Sequence, residues 1–260
     1  MRRLSDKFRF LEIESSDNAR MSLATEEAIF HEVISGRSMP TFRFYRHKNA
    51  IILGCFQLAE QEVDMDVANK NKIQIVKRFT GGGAVYHDLG NLNFSVITKD
   101  NYGIGTNVKT LFGTMINGAV NAFASLGMNP QSGKLNDVTV NGKKILGAAA
   151  SIRQKAVLFH AATLVNTNLP LLASVLKVPG IKLKDKGVAT ILERVTNIKA
   201  ESGKNEQDVR EALKKSYSDL LNMELVPGEL TKEEKDLAQR LYNAKYSTEE
   251  WNMGRELLPV

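Results

Sequence analysis

The sequence lacks the features that mark secreted, membrane-bound or fibrous proteins. Its one cysteine, Cys55, cannot form an internal disulfide framework and fits a reducing compartment. No apolar run approaches the ~20 residues that a membrane-spanning helix needs. Residues 1–7 are charged and are not followed by the apolar segment of a signal peptide. We therefore expect a cytoplasmic protein without a membrane partner.

Internal repeats, low-complexity runs and long linkers are also missing, so one domain is expected over residues 1–260. Apolar residues make up 43% of the chain and charged residues 25%, which is the balance of an ordinary globular protein. The net charge of +6 favours acidic partners or nucleotides. The sequence shows neither the aromatic–basic interleaving of single-strand binders nor a zinc-finger signature, so no nucleic-acid partner is expected.

The order of predicted elements indicates the fold class. Strands are predicted near residues 8–13, 41–46, 50–54, 73–78, 92–98 and 156–166, and Asn141-Gly142 predicts a hairpin. Helices are predicted at residues 60–71, 108–126, 206–221 and 231–243, and Asp17 or Asn18 can cap an earlier one. The pattern lacks regular βαβ alternation and favours an α+β fold, a mixed β-sheet flanked by helices. Residues from about 205 to 260 are predicted to form a helical appendage.

The most informative stretch is a run of three glycines, Gly81 to Gly83, between two apolar segments. Glycine adopts positive φ and allows close approach to the backbone, so this loop can offer N–H groups to an anion. Arg78 precedes it and can supply a planar charge for phosphate or carboxylate. A flexible hairpin loop is the plain alternative. The polar residues that flank the glycines favour a functional site; they are Arg78, Tyr86, His87, Asp88 and Asn91.

A second stretch, residues 135–166, carries further candidate groups. Asn136 and Asp137 offer an amide and a carboxylate before a strand, and Lys143 and Lys144 follow the hairpin turn. On composition alone the two lysines would be solvated. The small residues from Gly147 onward leave room for a ligand, or equally for close packing.

Both stretches resemble the signature segments of the lipoate–protein ligases. Residues 78–91 match the pattern R-x-x-G-G-G-A-V-[FY]-H-D-x-G-N at every fixed position, and the later segments follow in the same order. These are N-D at 136–137, G-K-K-I-L-G-A-A at 142–149, H-A-A-T-L at 160–164, R-V-T-N at 194–197 and K-Y-S-T-E-E-W-N at 245–252. The resemblance covers essentially the whole chain and implies the catalytic fold shared by biotin and lipoate ligases.

The resemblance implies a two-step reaction, in which ATP and lipoate give lipoyl-AMP and a lysine of a lipoyl carrier domain then takes the acyl group. It assigns catalysis to Lys144, which would bridge the lipoate carboxylate and the α-phosphate. Mg²⁺ is implied as a cofactor beside ATP, with Asp137 as its ligand. The residues implied to bind ATP or lipoate are Arg78, Gly81, Gly82, Gly83, Ala84, Val85, Tyr86, His87, Asn136, Asp137, Gly147, Ala149 and His160.

The chain ends soon after the K-Y-S-T-E-E-W-N segment, so the extra C-terminal domain of the fullest ligases is expected to be absent. The resemblance is to the archaeal bipartite type, which implies a separate C-terminal accessory protein as a partner. The expected acceptors are acyltransferase subunits of 2-oxoacid dehydrogenases and the glycine cleavage H protein.

Two alternatives stay open. A lipoyl or octanoyl transferase would use a cysteine nucleophile, but Cys55 lies outside the segments around Asn136 and His160 where those enzymes carry theirs. A non-catalytic nucleotide- or nucleic-acid-binding protein would instead explain the basic charge.

Overall fold

In the computed structural model, the residues described are 6–13, 16–99, 104–105, 107–134, 136–178 and 184–254. The strands are β1 (Asp6–Glu12), β2 (Thr41–Tyr45), β3 (Asn49–Leu53), β4 (Gln74–Lys77), β5 (Val85–Asp88), β6 (Asn91–Lys99), β7 (Pro130–Ser132), β8 (Asp137–Val140), β9 (Lys143–Arg153), β10 (Ala156–Leu164) and β11 (Met223–Pro227). The helices are α1 (Ala19–Ile34), α2 (Ala59–Glu62), α3 (Met65–Lys70), α4 (Val108–Ser125), α5 (Leu169–Val175), α6 (Lys184–Arg194), α7 (Ile198–Ser202), α8 (Glu206–Leu221), α9 (Lys232–Leu241) and α10 (Glu249–Met253), and a π-helical turn, Tyr242–Tyr246, follows α9.

The strands form two sheets. The larger has eight strands in the order β11-β1-β2-β6-β10-β9-β8-β7, and the smaller has three in the order β4-β3-β5. Strand β1 pairs in parallel with both β2 and β11, whereas the other pairs of the larger sheet are antiparallel. The sheets are thus mixed and helices pack against them, which confirms the α+β prediction.

Alternation along the central strands gives the larger sheet one apolar face and one face that is part polar and part apolar. Phe42, Phe94 and Phe159 belong to a buried cluster that also contains apolar side chains of α4 and α8. On the opposite face, Arg43 bonds to Ser22 of α1 and His160 bonds to Glu26 of the same helix. This mixed face lies against α1, where Ile97 and Leu158 share a buried cluster with Phe30, and the main core lies on the other side.

The segment from Lys245 to Asn252 fixes the small sheet. The indole Nε1 of Trp251 donates to the Lys77 carbonyl at 2.7 Å, and Asn252 Oδ1 accepts from the Lys77 N–H at 3.0 Å. The Lys245 ammonium bonds to the Glu27 carboxylate at 3.0 Å and lies 4.1 Å from the centre of the Trp251 ring. The C-terminal part of the domain thus holds the end of β4, from which the glycine loop begins.

The structure differs from the predictions at one predicted helix and at several elements that were not predicted. The helix expected at residues 60–71 is split into α2 and α3, because Val63 is extended and Asp64 caps α3 by accepting from the N–H of Val67. Helices α6, α7 and α10 and strands β5, β7 and β11 had no prediction. Among the described helices, none combines the length and the apolar character that crossing a membrane requires.

Candidate active site

Arg78 holds the glycine loop, residues 81–83, by hydrogen bonds to its carbonyl groups. Its side chain is buried and donates four hydrogen bonds, to Thr80 Oγ1 at 3.0 Å and to the carbonyls of Ile52, Gly81 and Gly83 at 3.2, 2.7 and 3.0 Å. Burial lowers the pKa of Arg78 to about 10, so the guanidinium stays charged at neutral pH. Because two loop carbonyls are held by Arg78, the loop offers mainly its N–H groups to a ligand.

The loop also depends on a close approach between two glycines. A Cβ on Gly54, at the end of β3, would lie 2.1 Å from the carbonyl oxygen of Gly82. Gly82 has φ +100°, in the region that favours glycine, while a Cβ on Gly83 would meet nothing within 4 Å. The loop is therefore tightly packed at Gly82 and open at Gly83.

A β-bulge aims Lys144 into the site. In the pairing of β8 with β9, Val138 lies opposite Leu146 and Thr139 lies opposite Lys144, so Ile145 is an extra residue. Ile145 and Leu146 are both buried in the main core, although neighbours on a regular strand face opposite sides. The bulge thereby places Lys144 on the same side as Gly147, and both border the cavities described below.

Lys144 is already paired in this arrangement. Its Nζ lies 2.7 Å from Asp137 Oδ1, and about a third of each side chain is exposed. The side chain passes over Gly147, where a Cβ would lie 2.7 Å from both Cε and Nζ of the lysine. Asn136 fixes the adjoining backbone, since its Nδ2 donates to the Ala148 carbonyl at 2.6 Å.

Two adjoining cavities open around Lys144. The first is lined mainly by small and apolar side chains and has Lys144 at its border. Its lining is Leu23, Tyr45, Ile52, Arg78, Gly83, Ala84, Val85, His87, Asn136, Lys144, Gly147, Ala148, Ala149, His160, Ala161 and Ala162. The second is wider and combines cationic with aliphatic side chains. Its lining is Gln57, Glu62, Gly83, Ala84, Val85, Tyr86, Asn91, Lys144, Gly147, Ala162, Leu164, Leu172, Leu176, Lys177, Val178, Ile191, Arg194 and Val195.

The two cavities share the wall formed by Gly83 to Val85 on one side and by Lys144 and Gly147 on the other. Among the described residues, Lys144 is thus the cation that borders both spaces. A ligand that occupied both cavities would have its middle beside the Lys144 ammonium.

Both ring nitrogens of His160 have partners. Nδ1 lies 2.7 Å from Glu26 Oε2 and Nε2 lies 2.8 Å from Thr80 Oγ1. Because Thr80 Oγ1 accepts from Arg78, its own hydrogen can be donated to Nε2, and Nδ1–H then donates to the carboxylate. The chain of bonds ties the glycine loop to α1 through the sheet, so His160 both borders the first cavity and supports its wall.

His87 forms a pair with His47, Nδ1 to Nδ1 at 3.1 Å, and both rings are buried. Burial lowers the pKa of His87 to about 3, and the nearby charge of Arg78 acts in the same direction. His87 is therefore neutral at physiological pH and can offer the first cavity no charge.

The sequence-predicted residues converge on this site with few exceptions. All of them border a cavity except Gly81, Gly82 and Asp137, and Asp137 contacts Lys144 instead. Sequence reasoning missed Tyr45 and Leu23 in the first cavity and Lys177 in the second. Residues from distant segments supply these positions, and no local pattern marks them.

Cys55 borders neither cavity. It is buried, and burial raises the pKa of its thiol, which disfavours the thiolate that a nucleophile requires. Within the described ranges, no three His, Cys, Asp or Glu side chains come together as a metal site.

Comparison with known proteins agrees with this geometry. The family model described as "Lipoyl protein ligase A/B catalytic domain" matches residues 18–218. Lipoate-protein ligase A subunit 1 of Thermoplasma acidophilum is 43% identical over 256 residues, covering 95% of this chain and 96% of that protein. An octanoyltransferase, LipM of Oceanobacillus iheyensis, is 29% identical over 264 residues, covering 94% and 96% of the two chains.

Solved structures give the same result. A chain from the Thermoplasma acidophilum bipartite lipoate protein ligase, studied with its E2 lipoyl domain, superposes with a TM-score of 0.91 at 44% identity and covers 98% of this chain and 99% of that one. A lipoate-protein ligase A bound with ATP gives a TM-score of 0.87 at 41% identity, covering 96% and 100%. The fold and these relatives define a catalytic domain of the lipoate ligase type. The chain belongs to the lipoyl protein ligase A/B catalytic domain family, which confirms the resemblance seen in the sequence.

Proposed function

We propose that this protein is a lipoate–protein ligase. In the first step a lipoate carboxylate oxygen attacks the α-phosphorus of ATP and pyrophosphate leaves, which gives lipoyl-AMP. In the second step a carrier lysine attacks the lipoyl carbonyl, AMP leaves and the amine loses a proton. The position of Lys144 at the junction of two cavities carries this proposal, because an acyl-adenylate has its mixed anhydride between two dissimilar halves.

The linings support one placement of the substrates. The narrow first cavity, with its run of alanines from β9 and β10, suits an aliphatic acyl chain. The second cavity, with Lys177 and Arg194 beside leucines and Ile191, suits phosphates and a base. Lys144 would then meet the acyl carboxylate and the α-phosphate together, and its ammonium would stabilise the charge that builds on phosphorus.

We assign Mg²⁺ to the nucleotide. Mg²⁺ binds through one or two carboxylates together with substrate phosphates and supplies charge neutralisation there. We assign this role to Asp137, whose Oδ1 lies 2.7 Å from Lys144 Nζ and so adjoins both cavities through the lysine. The expected partners are lipoyl carrier domains and a separate accessory protein, by analogy with the bipartite ligase, and the expected location is the cytoplasm.

The test is the intact mass of an apo lipoyl carrier domain after incubation with this protein, lipoate, ATP and Mg²⁺, with and without an accessory-domain protein. A parallel reaction supplies synthetic lipoyl-AMP. We expect lipoylation with the accessory protein present, its loss in Lys144→Ala and its retention in Cys55→Ser.

The Cys55→Ser variant distinguishes the ligase from a second candidate function. The identity to an octanoyltransferase makes cysteine-dependent acyl transfer the second candidate. Transfer from an octanoylated carrier without ATP, abolished in Cys55→Ser, would establish that candidate and refute the ligase. Lipoylation that persists in Lys144→Ala would refute the role of the lysine.

A further inference from the structure

The fold itself restricts where the side chain of Lys144 can lie. Three features do so: the bulge at Ile145, the absence of a side chain at Gly147 and the carboxylate of Asp137. Each acts on a different part of the lysine. The bulge sets the side of the strand, Gly147 leaves space for the distal carbons, and Asp137 holds the ammonium.

The space at Gly147 is narrow. A Cβ there would lie 2.7 Å from Cε and Nζ of Lys144, and 3.6 Å from Asp137 Oδ1. Contacts under 3.0 Å require one group to move. The lysine is the flexible member, whereas Gly147 lies within a strand paired on both sides, to Asp137 of β8 and Ala162 of β10. A methyl group at residue 147 would therefore displace the ammonium and leave the strand in place.

Holding the Lys144 ammonium in place reduces the cost of bringing it to a substrate carboxylate and phosphate. A free lysine side chain samples many rotamers, and fixing it during the reaction costs about 2 kcal/mol of side-chain entropy. An ion pair with Asp137 restricts it in advance, at the border of both cavities. Because the pair is about one-third exposed, an incoming carboxylate and phosphate can compete for the ammonium.

We propose that Gly147 and Asp137 are positioning residues for Lys144, and that they hold its ammonium between the acyl and nucleotide cavities before substrates bind. This inference rests on the proposed function. In this inference Asp137 positions the lysine, a role separate from binding Mg²⁺. Gly147 leaves space for the lysine side chain rather than for the ligand.

The test compares Gly147→Ala, Asp137→Asn and wild type in lipoate-dependent pyrophosphate release, with the accessory protein present. Gly113→Ala is the matched control, since a Cβ at this helical position meets nothing within 4 Å and lies outside the site. We expect Gly147→Ala to lower kcat on the order of 10²-fold, with little change in KM for lipoate or ATP and an unchanged unfolding midpoint. A rise in KM with kcat preserved would mean that the methyl blocks a substrate, and it would overturn the inference.

Two further readouts separate positioning from other roles. The loss in Asp137→Asn should persist at saturating Mg²⁺, whereas recovery there would show that the carboxylate acts only through the metal. Crystal structures without ligand should place Nζ beside Asp137 in wild type and away from it in Gly147→Ala; an unmoved lysine would overturn the proposal. Wild-type protein that lipoylates no carrier would refute the proposed function, while full activity of both variants would refute only this inference.

Discussion

The carboxylate of Glu26 is the buried charge on which the wall of the first cavity depends. It is 1% exposed, accepts from His160 Nδ1 at 2.7 Å and lies near the fully buried guanidinium of Arg43. Burial by itself would raise the pKa of Glu26. The interaction with His160 and the attraction of Arg43 together outweigh burial, so the pKa lies below its ordinary value of 4.5.

Glu26→Gln keeps the shape of this side chain and removes its charge. A glutamine carbonyl can still accept from His160, so the main loss is the negative charge that compensates Arg43. Leaving the buried guanidinium of Arg43 without this compensating charge should cost about 3–5 kcal/mol, as removing one partner of a buried pair does. At about 2–4 °C per kcal/mol for a domain of this size, the melting temperature should fall by about 6–20 °C.

The pH dependence gives this prediction a second test. Because the folded pKa of Glu26 is lowered, its contribution is fully present above the unfolded value and is lost as pH falls through the folded value. The gap in unfolding free energy between wild type and Glu26→Gln should therefore be complete near neutral pH and shrink below pH 4.5.

Urea unfolding of the two proteins across this range measures the gap, with exposed Glu224→Gln as the control. A difference under about 1 kcal/mol near neutral pH would refute the idea that Glu26 compensates a buried cation. A large difference that does not shrink in acid would show that packing, not charge, accounts for it.

Two other variants test separate parts of the site. Gly54→Ala should lower both the unfolding midpoint and pyrophosphate release, because its Cβ would lie 2.1 Å from a carbonyl oxygen of the glycine loop; activity equal to that of Gly113→Ala would contradict the close packing. In His87→Asn the free energy of unfolding should fall less steeply with decreasing pH than in wild type, by up to about 1.4 kcal/mol per pH unit. His87 has a pKa of about 3 in the folded protein and an ordinary value of 6.5, so between these pH values only the unfolded state binds the proton. If the free energies of unfolding of wild type and His87→Asn changed with pH in parallel, His87 would titrate normally in the folded protein.

Local signals predicted much of the fold. The Asn18 side chain caps α1 as expected, and Asn141 and Gly142, both at positive φ, form the turn between β8 and β9. Strand β11 escaped prediction because it is short and gains its hydrogen bonds from β1, more than two hundred residues earlier in the chain. A short stretch of sequence carries almost no signal for pairing between strands so far apart in the chain.

The site was predictable as a set of residues and less so as a geometry. The glycine loop, Lys144 and most of the small residues do surround one space. Arg78, expected to reach outward to a phosphate, instead binds the carbonyls of the loop. The bulge at Ile145 was invisible because Ile and Leu in succession fit either face of a strand.

The shared wall between the two cavities has a consequence for inhibitors. A compound that fills one cavity meets a site whose other half stays hydrated, and it bears the whole entropic cost of binding itself. On the substrate placement proposed above, a single molecule that joins an acyl chain to a nucleoside through a stable link would enter both cavities at once, with the second half at high effective concentration. An anionic link is favoured, because the two cavities meet beside the Lys144 ammonium.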